Sequence, residues 1–237
     1  AYLKRDLFVC DHGKIRNIEA EVSAVRRALR LQRETGVRLY FCHLSAPKSV
    51  ELVKDAKDRG AKVFSEICPH HFRLSDERLS GYNGSFFKVN PPLRNIAQSK
   101  RLKELLLCDG YIDCIGSDHA PHTIEEKRAT QYDKIPSGLP GVQTIFPLLF
   151  DLVVKGKMKL DHFIGLTSRN AASIFRLGTK GAIAPGFDAD FILVAPNNKI
   201  VLNHNDMASK CGWTPYNYWR MLGRPKMVTI GGKMFSV

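Results

Sequence analysis

The chain has 237 residues, 44% hydrophobic and 25% charged, with a formal net charge of +13. That length suits one large domain, or one domain with a small appendage, and the composition supports a sizeable core. No apolar run approaches the roughly 20 residues a membrane helix needs, no signal peptide is visible, and the first residue is Ala1. Lys and Arg are spread among Glu and Asp without a block of one sign, so the expectation is no nucleic-acid surface and no membrane. An acidic partner, or a basic half of a larger protein, accounts for the charge. Cys10, Cys42, Cys68, Cys108, Cys114 and Cys211 contain no CxxC, and four of them (Cys42, Cys68, Cys108 and Cys114) lie in or beside apolar runs. This predicts buried free thiols in a reducing compartment, with the cytoplasm as the expected location.

Along the chain, strand and helix alternate over the first two thirds. Leu7 to Cys10 is a short apolar run. Ile18, Val22, Val25 and Leu29 fall at helical spacing, with Gly36 as a stop. Leu39 to Cys42 reads as a buried strand ending at His43. Ser45 as a cap and Pro47 in the first turn predict a helix whose apolar face is Val50, Leu52, Val53 and Ala56, ended by Gly60. Val63 to Cys68 is the next strand. A Gly-, Asn- and Pro-rich loop runs to about Arg94, and Leu102, Leu105 and Leu106 mark a helix. Ile112 to Ser117 is a third buried strand. An apolar helix from about Val142 to Val154 contains Pro147, which should bend it. Two shorter helices lie between Leu160 and Phe175. After that the texture becomes short strand-like runs at Gly181–Val194, Lys199–Leu202 and Lys226–Met234.

Strands separated by helices imply α/β architecture with a parallel sheet. The strands end in polar residues, namely His43, Pro69-His70-His71 and Asp118, which is the layout of a (β/α)8 TIM-type barrel. About four strand–helix units are present, so the expectation is a partial barrel over residues 1–178 and a small β module over residues 179–237.

The strongest local signal is Gly116-Ser117-Asp118-His119-Ala120-Pro121-His122. A carboxylate at a strand end followed by two histidines can bind a metal or carry a proton; the bland alternative is a turn Asp with surface histidines. His43 alone reads more readily as structural, but with Asp118 at another strand end of the same sheet it makes a zinc-type donor set. One of His70 and His71 could line the site, or each could hold loop carbonyls. In Phe87-Lys88-Val89-Asn90-Pro91-Pro92-Leu93-Arg94, the prolines stiffen the loop and Asn90 offers a donor and an acceptor for an amide or imide edge. The alternative there is a rigid turn before a helix at Asn95.

These motifs, in this order, resemble dihydroorotase, a cyclic amidohydrolase: His43-Leu44-Ser45, Glu66-Ile67-Cys68-Pro69-His70-His71, Asn90-Pro91-Pro92-Leu93-Arg94, Ser117 to His122, and Pro136-Ser137-Gly138-Leu139-Pro140-Gly141. Gly186-Phe187-Asp188-Ala189-Asp190 and Gly212-Trp213-Thr214-Pro215-Tyr216 resemble that family's C-terminal β module. Allantoinase and hydantoinase are sister families, and Asn90 before the double proline favours dihydroorotase. The resemblance implies zinc, two ions per complete site, with His43 as a ligand on the sixth barrel strand. It implies Asp118, on the eighth, as both ligand and general base. It places Asn90, His122 and backbone groups near Pro136 and Gly138 on the substrate. The implied reaction interconverts dihydroorotate and N-carbamoyl-aspartate in pyrimidine biosynthesis. A homo-oligomer or an aspartate transcarbamoylase-type partner is the implied assembly.

The sequence departs from the family in three places. No His-x-His pair occurs. The bridging carboxylated lysine has no counterpart, and Lys4 sits too near the start to serve. Val9-Cys10-Asp11-His12-Gly13 stands where a strand-end His is expected, so Cys10 or His12 is a candidate replacement ligand. The expectation is that an N-terminal half lies elsewhere in the gene or on another chain, or that the protein is a non-catalytic scaffold. The ionisable cluster at Asp118 favours the enzyme.

Overall fold

The computed structural model describes residues 7–236; Ala1 and Lys4 lie outside them. Val9–Asp11 is a 3-10 helix and His12–Ile15 one helical turn, α1. The run Leu7–Cys10 therefore does not form a strand. Asp11 accepts from the Phe8 amide at 3.4 Å, and a short acidic side chain that bonds nearby main chain competes with a sheet ladder. Helix α2 spans Ile18–Thr35. Asn17 caps it through the Ala20 amide at 2.9 Å. Gly36 ends it at φ 69°, a left-handed turn that a glycine makes without a Cβ clash.

Strand β1 (Leu39–Phe41), helix α3 (Pro47–Asp58), strand β2 (Val63–Ile67), the short helix α4 (Pro69–Arg73), helix α5 (Ile96–Leu107) and strand β3 (Cys114–Ile115) follow. The strands form one parallel sheet in the order β1-β2-β3. Leu39 pairs with Val63 and Glu66 with Cys114. Regular pairing in β3 is shorter than the expected Ile112–Ser117, although Asp113 N donates to Ser65 O at 3.1 Å and Gly116 N to Ile67 O at 3.0 Å. Ser45 does not cap α3. Its hydroxyl bonds Glu21 of α2 instead, and Ala46 takes the cap position without a side-chain bond.

One core joins the helices to the sheet: Val50 and Val53 of α3, Ile67 of β2, and Leu102, Leu105 and Leu106 of α5. Leu149 and Leu152 come from helix α7 (Ile145–Val154), which follows the single-turn α6 (Ile124–Lys127). Each such buried side chain contributes about 1.5–3 kcal/mol. Because α7 starts at Ile145, Pro147 falls in its first turn, where no intrahelical donor is needed; the expected interior bend has no cause. Helices α8 (Leu160–Ile164) and α9 (Asn170–Ile174) are joined by a π-helical turn at Gly165–Arg169.

Strands β4 (Phe191–Val201), β5 (Arg220–Ile230) and β6 (Lys233–Ser236) form an antiparallel sheet in that order. The two runs expected around Val194 and Lys199 are one strand. The register shifts between Ala195 and Lys199, so Pro196 and its neighbours bulge out of the ladder, where a proline lacking N–H is tolerated. Asp151 of α7, 1% exposed, ties this sheet to the helices. It takes the Leu222 amide at 3.0 Å and Lys155 at 2.7 Å.

The six cysteines are free. Cys68, Cys114 and Cys211 are buried, but Cys42 and Cys108, expected inside, are exposed, as is Cys10. Leu39 and Phe41 pack on the helices, so strand alternation puts Cys42 on the other face. Cys108 sits at the open end of α5.

Candidate functional site

Three neighbouring parallel strands deliver side chains to one edge. His43 follows β1, Cys68-Pro69-His70-His71 follows β2, and Asp118 follows β3. His43 (φ 39°) and Asp118 (φ 44°) both hold left-handed backbone. That geometry costs a non-glycine residue roughly 1–3 kcal/mol and clusters at functional sites.

The structure divides the histidine pair. His71 donates Nε2–H to Pro91 O at 3.0 Å, which leaves Nδ1 as the lone-pair nitrogen. His70 is 2% exposed and its Nε2 has no hydrogen-bond partner; His71 Nδ1 and His43 Nδ1 are likewise buried and unpartnered. The His70 and His71 rings lie 4.2 Å apart. Burial, then the adjacent His71 and His43 rings, hold His70 well below the usual imidazole range. Burial pushes His71 down to about 4, against the Pro91 bond. Neutral imidazole is the form that ligates a metal.

Among the described residues, Cys68, His70 and His71 form a group whose ligand atoms lie within 4.8 Å of one another. Burial pushes the Cys68 thiol up, and the carboxylates of Glu66 and Asp118 push it further, so Asp118 acts on the same space. Imidazole nitrogens, a thiol and a carboxylate are the donor types zinc selects. Unpartnered, neutral, buried nitrogens are what such an ion requires of them, so the residues present fit a metal.

Three loops wall this edge. The 87–94 loop carries Asn90, whose Oδ1 is buried without a well-aligned hydrogen bond, although the His12 ring is a neighbour. The 117–122 loop pairs with the 136–141 loop: Ala120 N donates to Leu139 O at 3.1 Å. Gly138 fits because a Cβ there would strike the Ala120 carbonyl, and one on Gly141 would strike Ser117 O. Gly138 N donates to Lys88 O at 2.9 Å. Lys127 of α6, fully buried, binds all of this together. Its ammonium donates to Lys88 O (3.0 Å), Pro136 O (2.9 Å) and Gly138 O (3.1 Å). Burial, with Lys88 nearby, lowers its pKa to about 7. Nothing in the sequence marked this residue, since a lysine after Glu125 and Glu126 reads as a solvated helix face. His122 stands half-exposed, Nδ1 3.6 Å from Glu126, and its carbonyl accepts from Trp213 Nε1 at 2.8 Å.

Of the two candidate replacement ligands, His12 is committed elsewhere. Its Nδ1 meets the Tyr132 hydroxyl at 2.8 Å and its Nε2 meets Val89 O at 3.0 Å. Burial pushes its pKa down to about 4. It is a structural histidine that holds the main chain beside Asn90. Cys10 is exposed in the 3-10 turn.

Comparison with known proteins agrees with this layout. The sequence profile of the Amidohydrolase family matches residues 25–234. A dihydroorotase of Halobacterium salinarum is 40% identical over 201 residues, 85% of this chain and 46% of that protein. An allantoinase of Escherichia coli strain K12 is 39% identical over 207 residues, 87% of this chain and 45% of its own. Among solved structures, the dihydropyrimidinase of Brevibacillus agri superposes with a TM-score of 0.90 at 28% identity, covering 96% of this chain and 50% of that one. The L-hydantoinase of Arthrobacter aurescens gives 0.87 at 29% identity, covering 93% and 49%. The chain thus spans about half the length of the relatives it matches. No helix among the described residues is long and apolar enough to cross a membrane. The strand-end site, the loops around it and the profile match together place the chain in the amidohydrolase family.

Proposed function

We propose that this chain forms one side of the catalytic site of a zinc-dependent cyclic-amide hydrolase acting on dihydroorotate. The observation that carries the reading is that neighbouring parallel strands end at His43, His70 and Asp118, with His43 Nδ1 and His70 Nε2 buried and unpartnered. In this reading β1 to β3 and their helices belong to a (β/α)8 barrel spanning residues 1–178, and residues 179–237 form its β module. His43 and Asp118 are metal ligands, and the buried cluster of Cys68, His70 and His71 offers further donors at the end of β2. These are fewer than two ions need, so further ligands come from polypeptide beyond these residues.

The zinc, when bound, supplies a water of lowered pKa and polarises the ring carbonyl. The chain's own residues do the rest. Asn90 Oδ1 accepts from a ring N–H, and backbone groups at Pro136 and Gly138 with His122 hold the opposite edge. An Asp118 carboxylate oxygen takes the proton of the attacking hydroxide as its oxygen bonds to the carbonyl carbon. The same oxygen gives that proton to the ring nitrogen as the C–N bond breaks. The product is N-carbamoyl-aspartate, and the reverse proton path closes the ring. Lys127 keeps the loops in register without touching substrate. A homo-oligomer, or a complex with an aspartate transcarbamoylase-type partner, is the assembly that goes with this reading.

Allantoin and hydantoin rings present the same amide edge, and the allantoinase and hydantoinase likenesses support a sister activity equally. The preference that Asn90 before the double proline gives to dihydroorotase is a sequence argument, so the substrate is settled by assay. Purified full-length protein is incubated with dihydroorotate, allantoin, hydantoin or dihydrouracil, with and without a chelator. Turnover of dihydroorotate above the others, abolished by the chelator and restored by zinc, is expected. Preference for another ring moves the assignment to the sister class. No turnover of any ring by metal-loaded protein would leave the scaffold reading in its place.

A further inference from the structure

One carboxylate lies beneath the strand-end site and has no part in the scheme above. Glu66 is in β2, on the sheet face opposite the buried Ser65 and Ile67. Its main-chain carbonyl accepts from Leu44 N at 2.9 Å. Its side-chain Oε1 accepts from His43 N at 3.3 Å. The two amide N–H groups that flank the His43 side chain are therefore both received by this one residue. Its Oε2 accepts from the Tyr40 hydroxyl at 2.8 Å. Burial, and then Glu66 itself, push the Tyr40 phenol well up, so it stays a donor. On the other side, Glu66 pairs in register with Cys114. A Cβ on Gly116 would land on the Glu66 carboxylate, so Gly116 leaves the space that carboxylate fills.

Resting on the reading of His43 as a metal ligand, we infer that Glu66 is a positioning residue for the metal site: it locks the backbone of His43 in its left-handed turn and so aims the imidazole. The reasoning is mechanical. A left-handed backbone at a non-glycine residue relaxes unless something holds it, and at His43 the amide on each side is bonded to Glu66. Tyr40 fixes the carboxylate from β1. Gly116 admits it from β3, the strand that delivers Asp118. The residue thus couples the turn bearing one ligand to the strand bearing another. Groups that orient ligands without touching the metal typically change metal affinity about 10–100-fold.

The test is metal binding by the full-length protein, read by competition with a chromophoric zinc chelator and by the visible spectrum of the cobalt-loaded form. Glu66→Leu, which removes both side-chain oxygens and with them the His43 amide's acceptor while leaving the main-chain carbonyl on Leu44 N, should weaken zinc about 10–100-fold and alter the cobalt bands. Glu66→Gln, which keeps one carbonyl oxygen, should be milder. Gly116→Ala leaves the Glu66 side chain intact but crowds it, and should shift the cobalt spectrum in the same sense. Tyr40→Phe should have the smallest effect. If Glu66→Leu does not fold, Gly116→Ala and Tyr40→Phe decide the matter. Parent-like zinc affinity and parent-like cobalt bands in the folded variants would overturn the role of Glu66 while leaving His43 a ligand. A parent protein that binds neither metal overturns both readings.

Discussion

Two parts of the molecule bury histidine ring nitrogens, and they do opposite things with them. At the N-terminal turn, His12 is 1% exposed and both ring nitrogens are in hydrogen bonds, to Tyr132 and to Val89. At the ends of β1 and β2, His43, His70 and His71 each leave a buried nitrogen without a partner. An unsatisfied buried polar group costs roughly 1–3 kcal/mol. One such group is an ordinary imperfection; three on one edge, beside Asp118, mark nitrogens held ready for something the chain does not itself supply. Burial alone therefore does not identify a site histidine. The state of the second nitrogen does.

The comparison is tested most severely at the strand ends. Asp118→Asn removes a proton carrier while keeping the shape, so kcat/KM of the metal-loaded full-length protein should fall about 10³-fold, some 4 kcal/mol of transition-state stabilisation. Steady-state kinetics with zinc content measured on the same sample checks this. A variant that keeps more than a tenth of the parent activity at equal zinc content removes Asp118 from the proton path.

How much of this was readable beforehand follows from what each residue has to do. β1 and β2 were legible because apolar runs ended in Gly- and Pro-bounded helices, and Gly36 stops α2 where its φ of 69° requires it. Leu7–Cys10 was not, because Asp11 captures a nearby amide and no periodic pattern records that. His43 and Asp118 were legible from their places at strand ends. His70 and His71 could not be told apart, since adjacent identical residues differ only in where a one-turn helix points each ring. Lys127 was invisible for a stronger reason. Its cradle is made of backbone carbonyls from Lys88, Pro136 and Gly138, which carry no side-chain signature at all. Glu66 stood in the quoted motif, but only the fold puts its carboxylate against the His43 amide.

Acidification probes the bonded histidine with the other sign of evidence. His12 has a folded-state pKa lowered to about 4, against 6.5 for the unfolded chain. Below 6.5 the unfolded state takes up a proton that the folded state refuses until about 4. Stability should therefore fall as the pH drops through this window and level off beneath it. The shift is worth at most about 3 kcal/mol. Denaturant midpoints of metal-free full-length protein between pH 7 and pH 4 measure the loss. His70 and His71, also lowered by burial, add to it in the same direction. Bound zinc should steepen the acid dependence at the strand ends alone, because protons compete with the metal for those nitrogens. A loss confined to metal-loaded protein would mean that His12 is not held neutral by the fold.

The smallest effect separates the two regions most cleanly. His12→Phe keeps the ring volume but deletes both hydrogen bonds, leaving Val89 O buried without its donor and the Tyr132 hydroxyl without its ring partner. A cost of about 2 kcal/mol in unfolding free energy is expected, the size of one orphaned buried acceptor and one lost bond. The zinc content should equal that of the parent, because neither His12 nitrogen faces the metal ligands. What should change is substrate binding, since Val89 precedes Asn90 and the His12 bond fixes that stretch of main chain. A raised KM at unchanged zinc content assigns His12 to the loop. Loss of zinc on this substitution would erase the distinction between a bonded histidine and an open one, and would return His12 to the candidate ligands.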